Sequence, residues 1–224
     1  MILCLVTDRR RLAGSSGLEA AKACLRAQAV YAVEAGIDWI QVREHGLEAA
    51  GLAAIVTDVV DAARGSATRV IVNDRLDVAL ACGADGVHLR GDSVPAADVR
   101  RLAPAGFLVG RSVHSAAEAA AAGPVDYLIA GTVFSTVSKP PDRTLLGLSG
   151  LHAVVGAARV PVLAIGGIDT VRMHEIARAG SAGAAAIGLF MSAAAHADNV
   201  CRAGSLVDVV RRARARFDTT QSGS

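Results

Sequence analysis

Gly110-Arg111-Ser112-Val113-His114-Ser115 is the stretch that decides the fold. It follows the apolar residues Phe107, Leu108 and Val109 and turns at once to glycine and small polar residues. Tyr127-Leu128-Ile129-Ala130-Gly131-Thr132 and Ala164-Ile165-Gly166-Gly167-Ile168 repeat the form. A parallel strand covered on both faces is an unbroken apolar run, without the alternation of a half-exposed strand. A run that stops at glycines or small polar residues reads as such a strand opening into a loop. Three openings of this kind point to a barrel with its chemistry at one rim.

Working outward, strands are expected at Ile2–Val6, Asp38–Val42, Arg69–Val72, Gly86–Leu89, Phe107–Val109, Asp126–Ala130, Pro161–Ile165 and Ala184–Ile187. Helical spacing lies between them. The segment Leu18–Ala35 stops at Gly36 and Ala49–Arg64 at Gly65, both natural C-caps. Short helices are expected at Asp77–Cys82, Pro95–Leu102 and Ser115–Ala122, the last with Ser115 as N-cap and Glu118 as its capping-box partner. Further helices are expected at Ser149–Ala158, at Val171–Ala179 and at the C-terminus. Strand and helix alternating eight times give an α/β fold, the (β/α)8 TIM barrel, as a single domain over 1–218 with a disordered tail over 219–224. The competing open doubly wound sheet would carry a glycine fingerprint after the first strand, where Asp8-Arg9-Arg10-Arg11 stands instead.

Composition narrows the function. Hydrophobic residues make up 52% of 224, enough for a large core, and aromatics only 3%, so alanine, valine, leucine and glycine carry the packing. A net charge of +2 gives no reason to invoke nucleic acid or a membrane surface. Cys4, Cys24, Cys82 and Cys201 form no close pair, which argues against a disulfide framework or a zinc site. Cys4 and Cys82 read as small buried hydrophobes. No signal peptide and no membrane span are read, so a cytoplasmic location is expected.

In a barrel, polar residues at the strand ends converge on one mouth. Gln41, Arg43, Asn73, Asp74, Ser112 and Thr132 are candidates of this kind. Thr136 and Lys139 follow in the long loop after the sixth strand. Gly166 and Gly167 let a phosphate approach backbone N–H groups, and Ile187 and Gly188 add a helix start beside them. His114, just past Ser112, has a side chain that can accept and return a proton near neutral pH. His88 lies inside a strand and reads as a packed group. His45 can touch an anionic substrate or remain solvated. His152, His174 and His196 read as surface residues. Asp74 alone is a poor magnesium site, because such an ion usually needs more than one carboxylate.

Taken in order, these blocks resemble the thiamine phosphate synthase/TenI superfamily. The blocks are Val6-Thr7-Asp8, Gln41-Val42-Arg43-Glu44, Val72-Asn73-Asp74-Arg75, Gly83-Ala84-Asp85-Gly86-Val87-His88-Leu89, Gly110 to Ser115, Gly131 to Thr136 and Ala164 to Ile168. The resemblance implies a barrel that handles a thiazole phosphate. A synthase of this superfamily joins hydroxymethylpyrimidine pyrophosphate to a thiazole phosphate, with magnesium, and releases pyrophosphate. Its pattern has a lysine where this chain has His45 and a second acidic magnesium ligand where this chain has Ser93; Asp92 is adjacent but out of register. Thr132, Thr136 and Lys139, which would help grip pyrophosphate, are retained.

The TenI branch instead moves a proton within a carboxythiazole phosphate and needs no metal. Under that reading Gly166, Gly167, Ile187 and Gly188 anchor the phosphate, Arg43 pairs with the carboxylate and His114 transfers the proton. His45 and Ser93 therefore favour a TenI-type thiazole tautomerase without a metal or other cofactor. The alternatives are a magnesium-dependent synthase with Asp92 as substitute ligand, and a non-catalytic thiazole or thiamin phosphate-binding regulator. A homodimer is the default expectation.

Overall fold

The computed structural model describes residues 1–13, 17–136, 144–191 and 203–218. Lys139, His196, Cys201 and the tail 219–224 lie outside the described residues. Eight parallel strands close into a barrel in sequence order, β1 pairing with both β2 and β8. They are β1 (Ile2–Val6), β2 (Trp39–Val42), β3 (Arg69–Asn73), β4 (Gly86–Leu89), β5 (Leu108–Val113), β6 (Tyr127–Gly131), β7 (Val162–Ile165) and β8 (Gly183–Ala186). The expected (β/α)8 TIM barrel is the observed fold.

The helices are α1 (Arg9–Ala13), α2 (Leu18–Glu34), α3 (Ala49–Ala63), α4 (Leu76–Ala81), α5 (Ala96–Leu102), α6 (Ala116–Ala120), α7 (Gly147–Ala157), α8 (Met173–Arg178), α9 (Gly188–Met191) and α10 (Ala203–Asp218). The sequence reading missed α1, which begins in the basic run Arg9-Arg10-Arg11 and has no apolar periodicity to announce it. It also ended β5 too early. The strand continues through Gly110, Arg111 and Ser112 to Val113. Those residues look like loop because none extends an apolar run: Gly110 and Ser112 face the barrel interior beside Tyr127 and His88, and Arg111 reaches outward to the loop after β4.

Two apolar layers result. The larger lies between sheet and helices, with Leu3, Leu5, Val87 and Leu128 facing outward. The smaller fills the barrel with Cys4, Val6, Ile71, Tyr127, Ile129, Leu163 and Ala185. Alternate residues of each strand divide between the layers, as the strand period of two requires. Burial raises the Cys4 thiol pKa to about 12, so Cys4 is an inert neutral filler. Cys82 differs from expectation. It is only half-buried at the end of α4, and its thiol reaches the Ala53 carbonyl of α3 at 3.6 Å. Tyr127 fills the barrel centre across Gly110, where a Cβ would lie 2.0 Å from the ring. Glycine is therefore required there by close approach.

The foot of the barrel has its own pattern. Asp38, Asp85 and Asp126 stand just before β2, β4 and β6, and each accepts the backbone N–H of a residue on the preceding strand. The bonds run from Leu3 at 2.8 Å, Val70 at 2.7 Å and Val109 at 2.7 Å. Arg214 of α10 pairs with Asp38 at 2.9 Å, and Arg100 of α5 with Asp126 at 2.5 Å. Before β8, Ser181 donates to nearby carbonyls instead. The barrel is thus stitched below, at the end opposite the candidate site.

Candidate active site

Strand ends bring Gln41, Asn73, His88 and Ser112 to the top of the barrel interior. Gln41 is 3% exposed. Its Nε2 donates to Asn73 Oδ1 at 3.0 Å, while its Oε1 is buried with no partner. A buried carbonyl oxygen without a donor costs on the order of 1–3 kcal/mol, so its persistence marks a place for a hydrogen-bond donor to dock.

His88 is fully enclosed. Its Nε2 lies 2.8 Å from Ser112 Oγ and its Nδ1 3.2 Å from the Tyr127 hydroxyl, with the two rings stacked at 5.6 Å. Burial, assisted by the nearby positive charge of Arg43, pushes its pKa down to about 3. His88 is therefore neutral at pH 7. It orients the Ser112 hydroxyl, and the expectation of a packed, structural histidine agrees with this.

Arg43 is held from behind. Its backbone N–H donates to Thr7 Oγ1 at 3.0 Å, and the Thr7 hydroxyl donates to Glu44 at 2.6 Å. The same carboxylate takes the Arg9 backbone N–H and the Arg9 guanidinium, the latter at 3.1 Å. Glu44 is thus spent on positioning, and α1 is what supplies Arg9.

Beside these residues lies a cleft of about 130 Å³, lined in part by His45, Asn73, Asp74, Arg75 and Arg90. Partial burial lowers the His45 pKa, and Arg43 and Arg90 lower it further, so this imidazole sits among cations. Asp74 has φ +64°, the only positive φ of a non-glycine residue among the described residues. Asp tolerates the left-handed region better than most residues, and strain of this kind gathers at functional sites. Its Oδ1 receives the Ser93 hydroxyl, and its Oδ2 faces Arg90 Nη1 at 3.6 Å. Arg75 donates to Asp77 through Nε and Nη2, at 2.8 and 2.6 Å.

His114 follows the end of β5 and is exposed. Its Nδ1 contacts the Gly131 carbonyl, so the proton sits on Nδ1 and Nε2 is the acceptor of the neutral ring. Ser115 caps α6 as expected, accepting from the Glu118 N–H. The Glu118 carboxylate takes the His114 N–H at 2.8 Å, one residue earlier than in a standard capping box.

Across the mouth, Gly166 and Gly167 have φ +103° and +63°. A Cβ on Gly166 would lie 2.4 Å from Thr132 Cγ2, and one on Gly167 would lie 2.4 Å from the Ser135 carbonyl. The glycines therefore let Thr132, Phe134 and Ser135 lie against the turn. Arg172 braces that turn, donating to the Gly167 carbonyl at 2.5 Å with its guanidinium 4.6 Å above the Phe134 ring. Among the described residues, no acceptor takes the N–H of Gly167 or Ile168. Ile187 and Gly188 come next to this turn from β8. Arg11 Nη2 lies 3.7 Å from where a Gly188 Cβ would be. Sequence reasoning missed Arg11 and Arg90 because neither stands in a motif; only folding brings them to the mouth.

The fold and site define a barrel enzyme class with anion-receptive loops at the C-terminal rim. The chain matches the family described as thiamine monophosphate synthase over residues 3–190. It is 36% identical over 217 residues to a thiamine-phosphate synthase of Methanoregula boonei, covering 96% of this chain and 95% of that one. It is 37% identical over 186 residues to the thiamine-phosphate synthase of Methanoculleus marisnigri, covering 82% and 87%. Among solved structures, thiamine phosphate pyrophosphorylase from Pyrococcus furiosus superposes with a TM-score of 0.74 at 30% identity, covering 97% and 96%. The chain belongs to the thiamine monophosphate synthase family.

These relatives correct the tautomerase expectation. Membership of the superfamily stands, but the similar proteins carry the synthase name, so the TenI-type isomerase reading is overturned. That reading gave too much weight to His45 and Ser93. Both positions lie in or beside a cleft that keeps Arg75 and Arg90, so losing one lysine does not strip it of positive charge.

Magnesium is what the resemblance implies for a synthase, and the donor set here fits it poorly. Both Asp74 oxygens already face donors, Ser93 offers only a hydroxyl, and Asp92 holds Arg90 at 2.5 Å. Among the described residues, no group of three or more His, Cys, Asp and Glu side chains is placed to hold a metal ion. No helix among them is long and apolar enough to cross a membrane.

Proposed function

We propose that this chain is a thiamine phosphate synthase, joining hydroxymethylpyrimidine pyrophosphate to a thiazole phosphate with release of pyrophosphate. In that reaction the bond from the pyrimidine methylene carbon to the pyrophosphate oxygen breaks, and its electron pair leaves with pyrophosphate. A bond to the thiazole ring forms at the same carbon. The carrying observation is that one mouth holds two anion-receptive regions on opposite sides. One is the arginine-bearing cleft at β2–β4; the other is the glycine turn after β7 with Arg11 near Gly188. Two phosphorylated substrates need two such regions, and the β2–β4 one carries several cations, more than the single arginine that a tautomerase needs for its substrate's carboxylate.

The pyrophosphate belongs in the β2–β4 cleft, where cations can stabilise the leaving group. The thiazole phosphate belongs at Gly166, Gly167, Ile187 and Gly188. Between them, the unpartnered Gln41 Oε1 is placed to accept from an amino group of the pyrimidine, with Asn73 fixing the amide. Ser112 and Thr132 complete the polar surround. His114 serves here as a hydrogen-bonding group, since the proton transfer first considered for it belonged to the tautomerase reaction. The test is a coupling assay with both substrates, following thiamin phosphate and pyrophosphate together. Equal formation of both supports the reading. A folded protein that forms neither, with or without magnesium, refutes it.

A further inference from the structure

We propose that the Arg90 guanidinium stands where a synthase would place its divalent cation, so that this chain holds pyrophosphate by guanidinium groups and not through a bound metal. The inference rests on the synthase reading above. Arg90 lies between two carboxylates, with Nη1 3.6 Å from Asp74 Oδ2 and Nη2 2.5 Å from Asp92. Its own backbone N–H is tied to Ser93 Oγ at 2.8 Å, and that same hydroxyl donates to Asp74 Oδ1. Ser93, the residue found where a second acidic ligand is expected, therefore fastens the loop that carries Arg90. Arg111 closes the loop from β5, reaching the carbonyls of Gly91 at 3.3 Å and Ser93 at 3.4 Å.

The charges agree with this arrangement. Two carboxylates and a divalent ion sum to zero, and so do Asp74 and Asp92 with the two arginines that act on His45 beside them, Arg90 and Arg43. The guanidinium also repels an incoming dication from both carboxylates it occupies. The Arg90 side chain is half exposed, so it can face an anion while still resting on Asp74. Guanidinium groups bind phosphate oxygens through paired N–H donors without needing metal coordination.

The experiment measures binding of inorganic pyrophosphate to the whole protein by calorimetry, in EDTA and in magnesium. The expected result is that magnesium changes the wild-type affinity by less than about threefold, while Arg90→Ala weakens binding in EDTA by about tenfold or more, the loss of one charge-assisted contact. The double variant Arg90→Gly with Ser93→Asp should gain manganese binding, read by electron paramagnetic resonance, and its pyrophosphate affinity should become metal-dependent. Wild-type binding that requires magnesium, or an Arg90→Ala variant with unchanged affinity in EDTA, would overturn the proposal. If the coupling assay fails but pyrophosphate binding is EDTA-resistant and Arg90-dependent, the reaction assigned above falls and this inference stands.

Discussion

The two ends of the barrel handle polar groups in opposite ways. At the foot, Asp38, Asp85 and Asp126 each take a strand N–H, and Asp38 and Asp126 are further paired with Arg214 and Arg100. At the mouth, Gln41 Oε1 is buried without a partner, His88 is kept neutral far below its ordinary pKa, and Asp74 has a left-handed backbone. The foot is satisfied by the chain itself. The mouth is left to be satisfied by something else. Stability and function are thus separated along the barrel axis, as conservation of stability at one face and chemistry at the other is expected for this fold.

The largest effect is expected at the foot. Asp38→Ala strands the Leu3 N–H and removes the Arg214 partner, and the cost should be about 3 kcal/mol. That corresponds to a fall in Tm of roughly 6–12 °C for a chain of this size, with kcat/KM of the folded protein unchanged. A loss of activity without a loss of Tm would show that the foot is not purely structural.

Acid should weaken the mouth next. The folded pKa of His88, about 3, lies below the ordinary value of 6.5, so the unfolded chain binds the extra proton between these limits. This contribution is fully present above about pH 6.5 and is lost as pH falls toward 3, amounting to about 2 kcal/mol by pH 5. Thermal melts from pH 7 to 5 should show the slope, and His88→Gln should flatten it. An equal slope in the variant would mean that another group titrates.

Gln41→Leu should separate the two ends by a smaller margin. It removes an unpartnered buried oxygen but also the donor to Asn73 Oδ1, and the two effects oppose, so stability should change by less than about 1 kcal/mol. Activity should fall about tenfold, near 1.4 kcal/mol, with the loss in KM for the pyrimidine substrate. The smallest effect belongs to Glu118→Ala, which frees the His114 N–H on an exposed helix start. It should cost about 0.5 kcal/mol of stability and change activity less than threefold, checked by denaturant titration beside the coupling assay.

Much of the fold was legible because each buried parallel strand is a short apolar run ending at a change of residue type. β1 and β4 fall where the sequence places them, at Ile2–Val6 and Gly86–Leu89. The end of β5 was not legible, since Gly110, Arg111 and Ser112 are strand residues with loop chemistry. The acids at the foot could not be read either, because Asp38, Asp85 and Asp126 bond to residues 35, 15 and 17 positions away. At the mouth, Gln41, Asn73 and Ser112 stood out as strand-end polar residues, and folding does bring them to one place. Arg90 carried no motif, and without it His45 and Ser93 looked like the loss of a pyrophosphate site. Reading those two substitutions singly led to the wrong branch of the superfamily.

The most direct test of the account is whether both regions of the mouth fill at once. Pyrophosphate binding should be titrated with and without saturating thiazole phosphate, on the wild-type protein. Simultaneous binding, with each affinity little changed by the other ligand, is the result expected of two seats serving one coupling reaction. Mutual exclusion would mean that the two anions compete for one seat, and would contradict the account.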